Sequence, residues 1–298
     1  MRVASIGECM IELTLPREDG EGSRVGFAGD TCNAAIYLKR SAPEIEVAYV
    51  TALGTDPLSA RMIAFFESEG LDTGLIERRA DRVPGLYAIS LDEKGERSFT
   101  YWRDTSAART LFLPPAEVTP ERLADFDIVY LSGITLAVLA PEARAGLAAF
   151  LDRYRRRGGR VAFDSNYRPR LWPDRATARR EIAAFWALTD IALPSLDDEL
   201  ALFGEAGEAA VLTRLAAAGI RRGALKRGAD GPLPIGGDFR LPAFPPAARV
   251  VDTTAAGDSF NGAYLAALLR GESEPACLAA GHAMASEVIG QPGAIIPR

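Results

Sequence analysis

The stretch DTTAAGDSFNGAYLAALLRG, residues 252–271, is the most informative part of the sequence. Three small residues, Ala255, Ala256 and Gly257, precede Asp258, and an apolar run typical of a helix follows them. Small residues at the start of a helix leave backbone N–H groups free, and these groups point the same way as the positive end of the helix dipole. The stretch therefore predicts an anion-binding helix N-terminus.

Asp258 is unusual in such a setting because an anion would repel its carboxylate. A carboxylate at an anion site is explained if it does chemistry, such as accepting the proton of an attacking hydroxyl. Asp258 is therefore a candidate general base. The alternative is an aspartate that only caps the helix, and this stretch alone does not decide between the two.

Composition limits the class of protein. A chain of 298 residues with 48% hydrophobic and 25% charged residues is typical of a globular protein with a large core. The net charge of −6 argues against nucleic acid or an anionic membrane as partner. The start of the sequence lacks the pattern of a secretory signal, and no apolar stretch is long enough to span a bilayer. We therefore expect a cytoplasmic protein.

Cysteine and histidine usage removes several mechanisms. Cys9, Cys32 and Cys277 are an odd number without CxxC spacing, so we expect reduced, mostly buried thiols rather than disulfides or a zinc site. The single histidine, His282, lies in an Ala-rich helical stretch and is interpreted as an ordinary helix residue. A histidine-based triad and a multi-histidine metal site are both disfavoured.

Strand and helix patterns alternate along most of the chain. This alternation predicts an α/β fold, a doubly wound and mostly parallel sheet flanked by helices, in one domain over residues 1–298. Predicted strands are 2–7, 46–53, 127–133, 160–166, 190–195 and 223–228. Predicted helices include one capped by Thr31 and those at about 57–69, 141–157, 174–188, 208–218, 257–270 and 274–288.

Two segments break this rhythm and predict a small β lid. Residues 84–104 contain two alternating runs around a turn at 92–96, which is typical of a hairpin. Residues 10–14 predict a further strand, and 15–26 a hairpin or loop. The lid segments are therefore about 10–28 and 84–104. Trp102 alternates away from its neighbours and is interpreted as a packing residue.

The sequence Asp252-Thr253-Thr254-Ala255-Ala256-Gly257-Asp258 resembles the D-T-x-G-A-G-D signature of the ribokinase-like (PfkB) family of carbohydrate kinases. The resemblance implies a ribokinase-like fold, Asp258 as the catalytic base and an anion hole formed by Ala255, Ala256 and Gly257. Ala255 stands where the family usually has glycine, so this position is expected to have a backbone geometry acceptable to a Cβ.

Three further motifs resemble that family. Residues 28–35 (AGDTCNAA) are similar to its sugar-binding G-G-x-x-x-N-x-A run, and 226–231 (KRGADG) to its K-x-G-x-x-G turn along ATP. The N-x-x-E element linked to Mg²⁺ is degraded to residues 195–199 (SLDDE). The resemblance implies that Gly29, Asp30 and Asn33 contact sugar; that Lys226, Gly228, Asp230, Gly231, Ala255 and Gly257 contact ATP; and that Asp198 or Glu199 acts indirectly on the metal.

Several segments are more similar to the 2-keto-3-deoxygluconate kinases of the family than to its ribokinases or fructokinases, among them 6–13 (IGECMIEL), 95–103 (GERSFTYWR), 166–172 (NYRPRLW) and 293–298 (GAIIPR). This resemblance implies a substrate pocket lined by Tyr87, Tyr101, Arg103 and Arg168, with Asn166 and Arg168 also reaching the nucleotide. A sugar acid carries a carboxylate, which arginine binds through directed, charged donors.

The expected function is phosphorylation of 2-keto-3-deoxygluconate to 2-keto-3-deoxy-6-phosphogluconate, with ATP and Mg²⁺ as cofactors. Expected partners are the sugar acid and ATP, with no nucleic acid and no membrane, and the chain is expected to form a homo-oligomer. A kinase of another small sugar and a non-catalytic sugar-acid sensor remain alternatives. A dinucleotide-dependent oxidoreductase is disfavoured because strand 2–7 is not followed by GxGxxG.

Overall fold

The computed structural model of the chain describes residues 1–15, 22–91 and 97–298. The predicted turn at 92–96 and residues 16–21 of the predicted loop at 15–26 lie outside the described residues. Within the described part, the strands are β1 Arg2–Ile6, β2 Met10–Thr14, β3 Arg24–Ala28, β4 Glu46–Gly54, β5 Ile76–Arg79, β6 Leu86–Leu91, β7 Arg97–Trp102, β8 Ile128–Ser132, β9 Arg160–Asp164, β10 Ile191–Ala192, β11 Ala224–Leu225 and β12 Leu233–Pro234.

Helices connect most of these strands. They are α1 Asp30–Ser41, α2 Pro57–Ser68, α3 Gly133–Val138, α4 Pro141–Arg156, α5 Arg175–Trp186, α6 Leu196–Phe203, α7 Glu208–Ala217, α8 Ala256–Leu269 and α9 Glu274–Val288. Among the residues described, none of these helices combines the length and hydropathy that a bilayer crossing demands.

The central sheet is parallel and has six strands in the order β10-β9-β8-β1-β4-β5. Bridges from Ala192 to Gly223 and from Ser195 to Lys226 continue it in parallel toward β11. Consecutive residues of β8 belong to different hydrophobic clusters, Ile128 to one and Val129 to the other. Both faces of the sheet are therefore covered, as parallel sheets require, and the predicted fold class is confirmed.

The strand order reverses at β1. The chain adds β4 on one side of β1 and later adds β8 on the other side. In open parallel sheets, ligands bind beyond the carboxyl ends of the strands at such a switch point. Glu8 follows β1 at this edge, and Asp164 ends β9 there. The fold therefore gathers polar side chains from separate strands at one place.

A second sheet consists of four strands in the order β3-β2-β6-β7, with β2 and β6 parallel and the outer pairs antiparallel. It contains the segments predicted to form a lid. Arg24–Ala28 pairs antiparallel with β2, from Thr14 to Met10, which agrees with the hairpin alternative predicted over 15–26, although the second strand extends two residues further. Trp102, predicted to pack, is 59% exposed because β7 is the edge strand.

The predicted cap of α1 was also wrong. Gly29 is the N-cap, and Thr31 lies inside the helix with its hydroxyl 3.4 Å from the Tyr49 hydroxyl. At this N-cap the backbone lies against Glu8, and a Cβ at position 29 would clash with the Glu8 backbone oxygen. Only glycine permits this close approach, which brings the first turn of α1 to the switch point.

Candidate active site

The first turn of α8 has the form that its sequence predicted. The helix begins at Ala256, and its first regular hydrogen bond runs from the Ser259 amide to the Ala255 oxygen at 2.8 Å. In the part of the chain that the structure describes, the amides of Gly257 and Asp258 have no acceptor. These two N–H groups and the helix dipole form an anion site.

Ala255 differs from expectation. Its φ is 61° and its ψ is 13°, which is the left-handed region and not a geometry suited to a Cβ. Alanine occupies this region at a cost that glycine does not have. The position therefore has the conformation of the glycine that the family usually carries there, although its side chain is different.

Asp258 lies at the end of a hydrogen bond that joins two helices. The Asn33 side-chain amide on α1 donates to Asp258 Oδ2 at 2.8 Å. Gly262 allows this contact, because a Cβ there would press into the backbone of α1 at Ala34. Burial, followed by the negative charge of Asp30, raises the pKa of Asp258 to about 7. The side chain can therefore gain and lose a proton near neutral pH.

Asp30 and Asn166 form a second contact across the switch point. The Asn166 side-chain amide donates to Asp30 Oδ2 at 2.8 Å, and the Asn166 backbone amide donates to Asp164 Oδ1 at 3.1 Å. Burial raises the pKa of Asp30. Three carboxylates thus lie near one another, those of Asp30, Asp164 and Asp258.

Lys226 is the cation among these carboxylates. Its Nζ donates to Asp164 Oδ2 at 2.6 Å and to Asn261 Oδ1 at 3.0 Å. Sequence reasoning missed Asp164 and Asn261. Two signals were present: Asp164 lies near the end of a predicted strand, and Asn261 follows Asp258 by three residues and so shares its helix face.

Two cavities meet at the first turn of α8. The polar cavity, about 390 Å³, is lined by Met10, Ala28, Gly29, Asp30, Asn33, Tyr87, Phe99, Tyr101, Ile134, Asp164, Asn166, Arg168, Ala294 and residues 253–258, with Ser195 and Lys226. The apolar cavity, about 460 Å³, is lined by Pro232, Pro246, Ala247, Val250, Phe260, Ala285 and Ile289, with Asp197, Arg227, Gly228, Ala229, His282, Ser286 and shared residues. The shared residues are Ser195, Lys226, Thr253, Ala256 and Gly257.

Most residues predicted to contact sugar line the polar cavity. Tyr87 and Tyr101 reach it from the four-stranded sheet, and the Tyr87 hydroxyl donates a hydrogen bond to Glu12. Arg168 lines the same cavity, and its guanidinium donates to Asp198 at 3.1 Å. Half of the Arg168 side chain is exposed (51%), so it is accessible to a ligand.

Arg103 does not line the polar cavity, although it was predicted to line the substrate pocket. β7 ends at Trp102, and the Arg103 side chain is buried in an ion pair with Glu8. A buried guanidinium needs a counter-ion, and Glu8, which follows β1, supplies it. Among the residues that the structure describes, the cations lining the polar cavity are therefore Arg168 and Lys226.

The predicted ATP residues divide into three groups. Lys226, Gly228 and Gly257 line the apolar cavity. Asp230 and Gly231 line neither cavity. Asp230 is exposed, and Gly231 is buried against the Phe244 side chain. Ala255, Asn166 and Arg168 line only the polar cavity.

The two residues predicted to act on the metal have different surroundings. Asp198 remains at the edge of the site through its contact with Arg168, and burial raises its pKa. Glu199 is fully buried and paired with Arg214 of α7; burial raises the pKa of Glu199 to about 7. Neither carboxylate lines the two cavities, but Asp198 contacts Arg168, which does, whereas Glu199 is held by Arg214 away from them. In the described part of the chain, no cluster of three or more metal-ligating side chains occurs.

A parallel sheet with a carboxylate at a helix N-terminus between two cavities suits an enzyme that transfers a phosphoryl group between two bound molecules. The pfkB family of carbohydrate kinases matches residues 1–298, and the chain belongs to that family. It is 47% identical to the 2-dehydro-3-deoxygluconokinase of Dickeya dadantii, covering 99% of this chain and 96% of that protein.

Two further similarities agree with this family. The chain is 45% identical to the 2-dehydro-3-deoxygluconokinase of Escherichia coli K12, over 100% of this chain and 97% of that protein. The crystal structure of Salmonella enterica aminoimidazole riboside kinase, complexed with aminoimidazole riboside and an ATP analog, superposes with a TM-score of 0.82 at 25% identity, covering 98% of this chain and 94% of that one.

Proposed function

We propose that this protein transfers the γ-phosphoryl group of ATP to the terminal hydroxyl of 2-keto-3-deoxygluconate, giving 2-keto-3-deoxy-6-phosphogluconate. The observation that carries the proposal is the first turn of α8, which forms the wall shared by the polar and the apolar cavity. A group bound at the free amides of Gly257 and Asp258 is accessible from both sides. The 2-dehydro-3-deoxygluconokinase relatives support this choice of acceptor.

The polar cavity is assigned to the sugar acid. Gly29, Asp30 and Asn33 offer the backbone, carboxylate and amide groups that hydroxyls prefer. Tyr87 donates its own proton to Glu12, so toward a ligand its oxygen can only accept. It is therefore suited to a sugar hydroxyl and not to a carboxylate. The carboxylate of the substrate is assigned to Arg168, whose planar fork binds it with two donors.

The apolar cavity is assigned to ATP. Val250, Ala285 and Ile289 form surfaces suited to a flat base, and the phosphates then point toward Gly257 and Lys226. The site also fits Mg²⁺. This ion keeps several waters and is held largely by substrate phosphates, so a complete protein cage is not needed. Asp198, beside Asp164, supplies oxygen ligands of the type Mg²⁺ prefers. When bound, the ion neutralises charge on the phosphates.

The reaction assigned to this chain takes place between the two cavities, at the first turn of α8. Asp258 accepts the proton of the terminal hydroxyl as the oxygen attacks phosphorus. The free amides of Gly257 and Asp258, with the small residues Ala255 and Ala256 around them, stabilise the charge that develops on the phosphoryl oxygens. A pKa near 7 suits Asp258 to this role because the carboxylate is available at neutral pH and becomes a good acceptor as the proton leaves.

Two properties of the whole chain extend the proposal. The four-stranded sheet, which brings Tyr87 and Tyr101 to the polar cavity, acts as the lid that excludes water. Its edge strand β7 also exposes Trp102 on the face opposite to Tyr101, and a homo-oligomer would cover this apolar side chain. We place the reaction in the cytoplasm, where ATP is available and free thiols such as the three cysteines remain reduced.

The test is ADP formation with Mg²⁺ and ATP on five acceptors: 2-keto-3-deoxygluconate, 2-keto-3-deoxygalactonate, fructose, ribose and adenosine. Turnover that is restricted to the keto-deoxy acids, and reduced at least tenfold in Arg168→Met, supports the proposal. Turnover with a neutral sugar alone would contradict the assignment of Arg168 to a carboxylate. Binding of the sugar acid without ADP formation would instead identify a sensor.

A kinase of a neutral sugar is the second candidate, and one contact favours it. Both arginines predicted to hold a carboxylate are ion-paired, Arg103 with Glu8 and Arg168 with Asp198, but the Arg103 side chain is also buried and so is not accessible to a ligand. The comparison of gluconate-type acids with fructose and ribose in the same panel distinguishes the two candidates directly. The Glu8→Gln variant adds to this, since it frees the guanidinium and is expected to leave the acceptor preference unchanged if Arg168 alone recognises the carboxylate.

A further inference from the structure

Lys226 is held by a closed network beneath the site. Its Nζ donates to Asp164 and Asn261, and the Asn261 side-chain amide donates to Asp164 Oδ2 at 2.7 Å and to the Tyr130 hydroxyl at 3.0 Å. The Lys226 side chain is 9% exposed, and Asn261 is fully buried. The ammonium group therefore has a fixed position.

One donor of this ammonium group is unused. A lysine ammonium has three N–H donors, and two of them are engaged by Asp164 and Asn261. The third has no acceptor among the residues that the structure describes. A Cβ built at Gly257 would lie 3.4 Å from Nζ, so the ammonium group lies beside the free amides of the helix. Lys226 also lines both cavities.

We propose that Lys226 is a catalytic residue of the phosphoryl transfer, whose third N–H binds the phosphoryl group as it passes between the two cavities. The inference rests on the proposed kinase reaction. Asp164 and Asn261 are positioning residues that act through Lys226. Because the ammonium group is fixed before the reaction, it stabilises the developing charge without reorganisation.

The step balances without a further reactant. The O–H bond of the acceptor breaks and its proton goes to Asp258. An O–P bond forms, and the bond between the γ-phosphorus and its bridging oxygen breaks with the electron pair leaving on ADP. Lys226 stays protonated throughout, so it contributes charge and a hydrogen bond but no proton.

A purely structural role explains the network less well. A buried ion pair is a weak source of stability, because removing both charges from water costs about as much as their attraction returns. The side chains of α8 instead link the lysine to the base: Asn261 and Asp258 are three residues apart on one helix face. Of the charged groups that act on Asp258, Asp30 and Asp164 raise its pKa and Lys226 lowers it.

The experiment measures kcat, both KM values and ATP affinity for Lys226→Met, Lys226→Arg, Asp164→Asn and the double variant Lys226→Met/Asp164→Asn. The double variant removes both charges and so avoids an unpaired buried carboxylate if the single variant fails to fold. Lys39→Met is the matched control, since its Nζ also holds two acceptors, the oxygens of Pro43 and Ile45, but lines neither cavity. Each is assayed with whichever acceptor of the panel is phosphorylated.

We expect kcat of the double variant to fall at least 100-fold with both KM values within threefold, and Lys226→Arg to recover part of the loss. In the Asp164→Asn single variant, the lower limb of the pH profile of kcat/KM should move to lower pH, since a like charge near the base is removed. A rise in KM for ATP with kcat unchanged, or a lower melting temperature alone, would overturn the proposal. A different preferred acceptor would contradict only the substrate assignment.

Discussion

The two cavities that meet at α8 are built in opposite ways. The polar cavity is lined by side chains that hold one another through hydrogen bonds, such as Asn33 with Asp258 and Asn166 with Asp30. The apolar cavity is lined by short hydrophobic side chains, such as those of Val250 and Ala285. The first arrangement fixes atoms for chemistry, and the second provides a shape. A substitution in the polar cavity should therefore mainly change the rate of phosphoryl transfer, and one in the apolar cavity should mainly change the affinity for ATP.

The largest effect is expected for Asp258→Asn. An amide retains the hydrogen bond from Asn33 but cannot accept the proton of the attacking hydroxyl, so kcat should fall by about 10³-fold. Calorimetric titration should find ATP and sugar-acid affinities within a factor of about three, since neither cavity changes shape. Turnover close to that of the unchanged protein would remove Asp258 as the base.

The same variant gives a stability readout. The pKa of Asp258 is raised in the folded state, so its ionisation lowers stability as pH rises from the unfolded value through about 7. At pH 8, the free energy of unfolding of Asp258→Asn should therefore exceed that of the unchanged protein by on the order of 1–2 kcal/mol, after allowance for the partial exposure of the carboxylate. Its melting temperature should be higher accordingly. The difference should shrink at pH 5.

A smaller effect is expected when the apolar cavity is filled. Ala285→Phe places an aromatic ring in the space assigned to the base of ATP, so KM for ATP should rise at least tenfold, about 1.4 kcal/mol. KM for the sugar acid should not change. Ala283→Phe is the matched control, because Ala283 is exposed on the same helix and outside the cavity. Equal effects of the two variants would place ATP elsewhere.

On the polar side, Tyr87→Phe removes one hydrogen-bond acceptor for the sugar. One such bond contributes about 1 kcal/mol, so kcat/KM for the sugar acid should fall about fivefold while KM for ATP stays the same. Tyr154→Phe is the control: its hydroxyl donates to the Phe126 oxygen at 2.7 Å, far from either cavity, so it should change stability only. A larger KM for ATP in Tyr87→Phe would contradict the division between the cavities.

The difference between the cavities also explains what the sequence could predict. Gly29, Asn33 and Asp258 belong to motifs with fixed spacing, since their atoms must occupy fixed positions. Val250, Ala285 and Ile289 have no such spacing, because many apolar side chains form an equally good surface. Arg103 was misplaced for a third reason: its partner Glu8 is 95 residues away, and only the fold brings them together.

The fold class was easier to predict from the sequence than the positions at which helices and strands begin and end. Alternating strand and helix patterns predicted the parallel sheet, because burial on both faces leaves a clear apolar signature in strands such as Ile128–Ser132. The cap of α1 depends on the close approach of Gly29 to Glu8, which belongs to a different segment of the chain. Local propensity does not contain that information.

The smallest effect is expected at Ala255, the N-cap of α8. Ala255→Gly relieves a left-handed alanine, worth about 1–2 kcal/mol, but adds backbone freedom to the unfolded chain, which costs about 0.5–1 kcal/mol. The net expectation is a gain of about 0.5–1 kcal/mol in the free energy of unfolding, measured by denaturant titration. Ala256→Gly, one residue further on and inside the helix, should instead lose about that amount. Destabilisation by both substitutions would show that the first turn of α8 gains more from the Ala255 side chain than it loses in backbone strain.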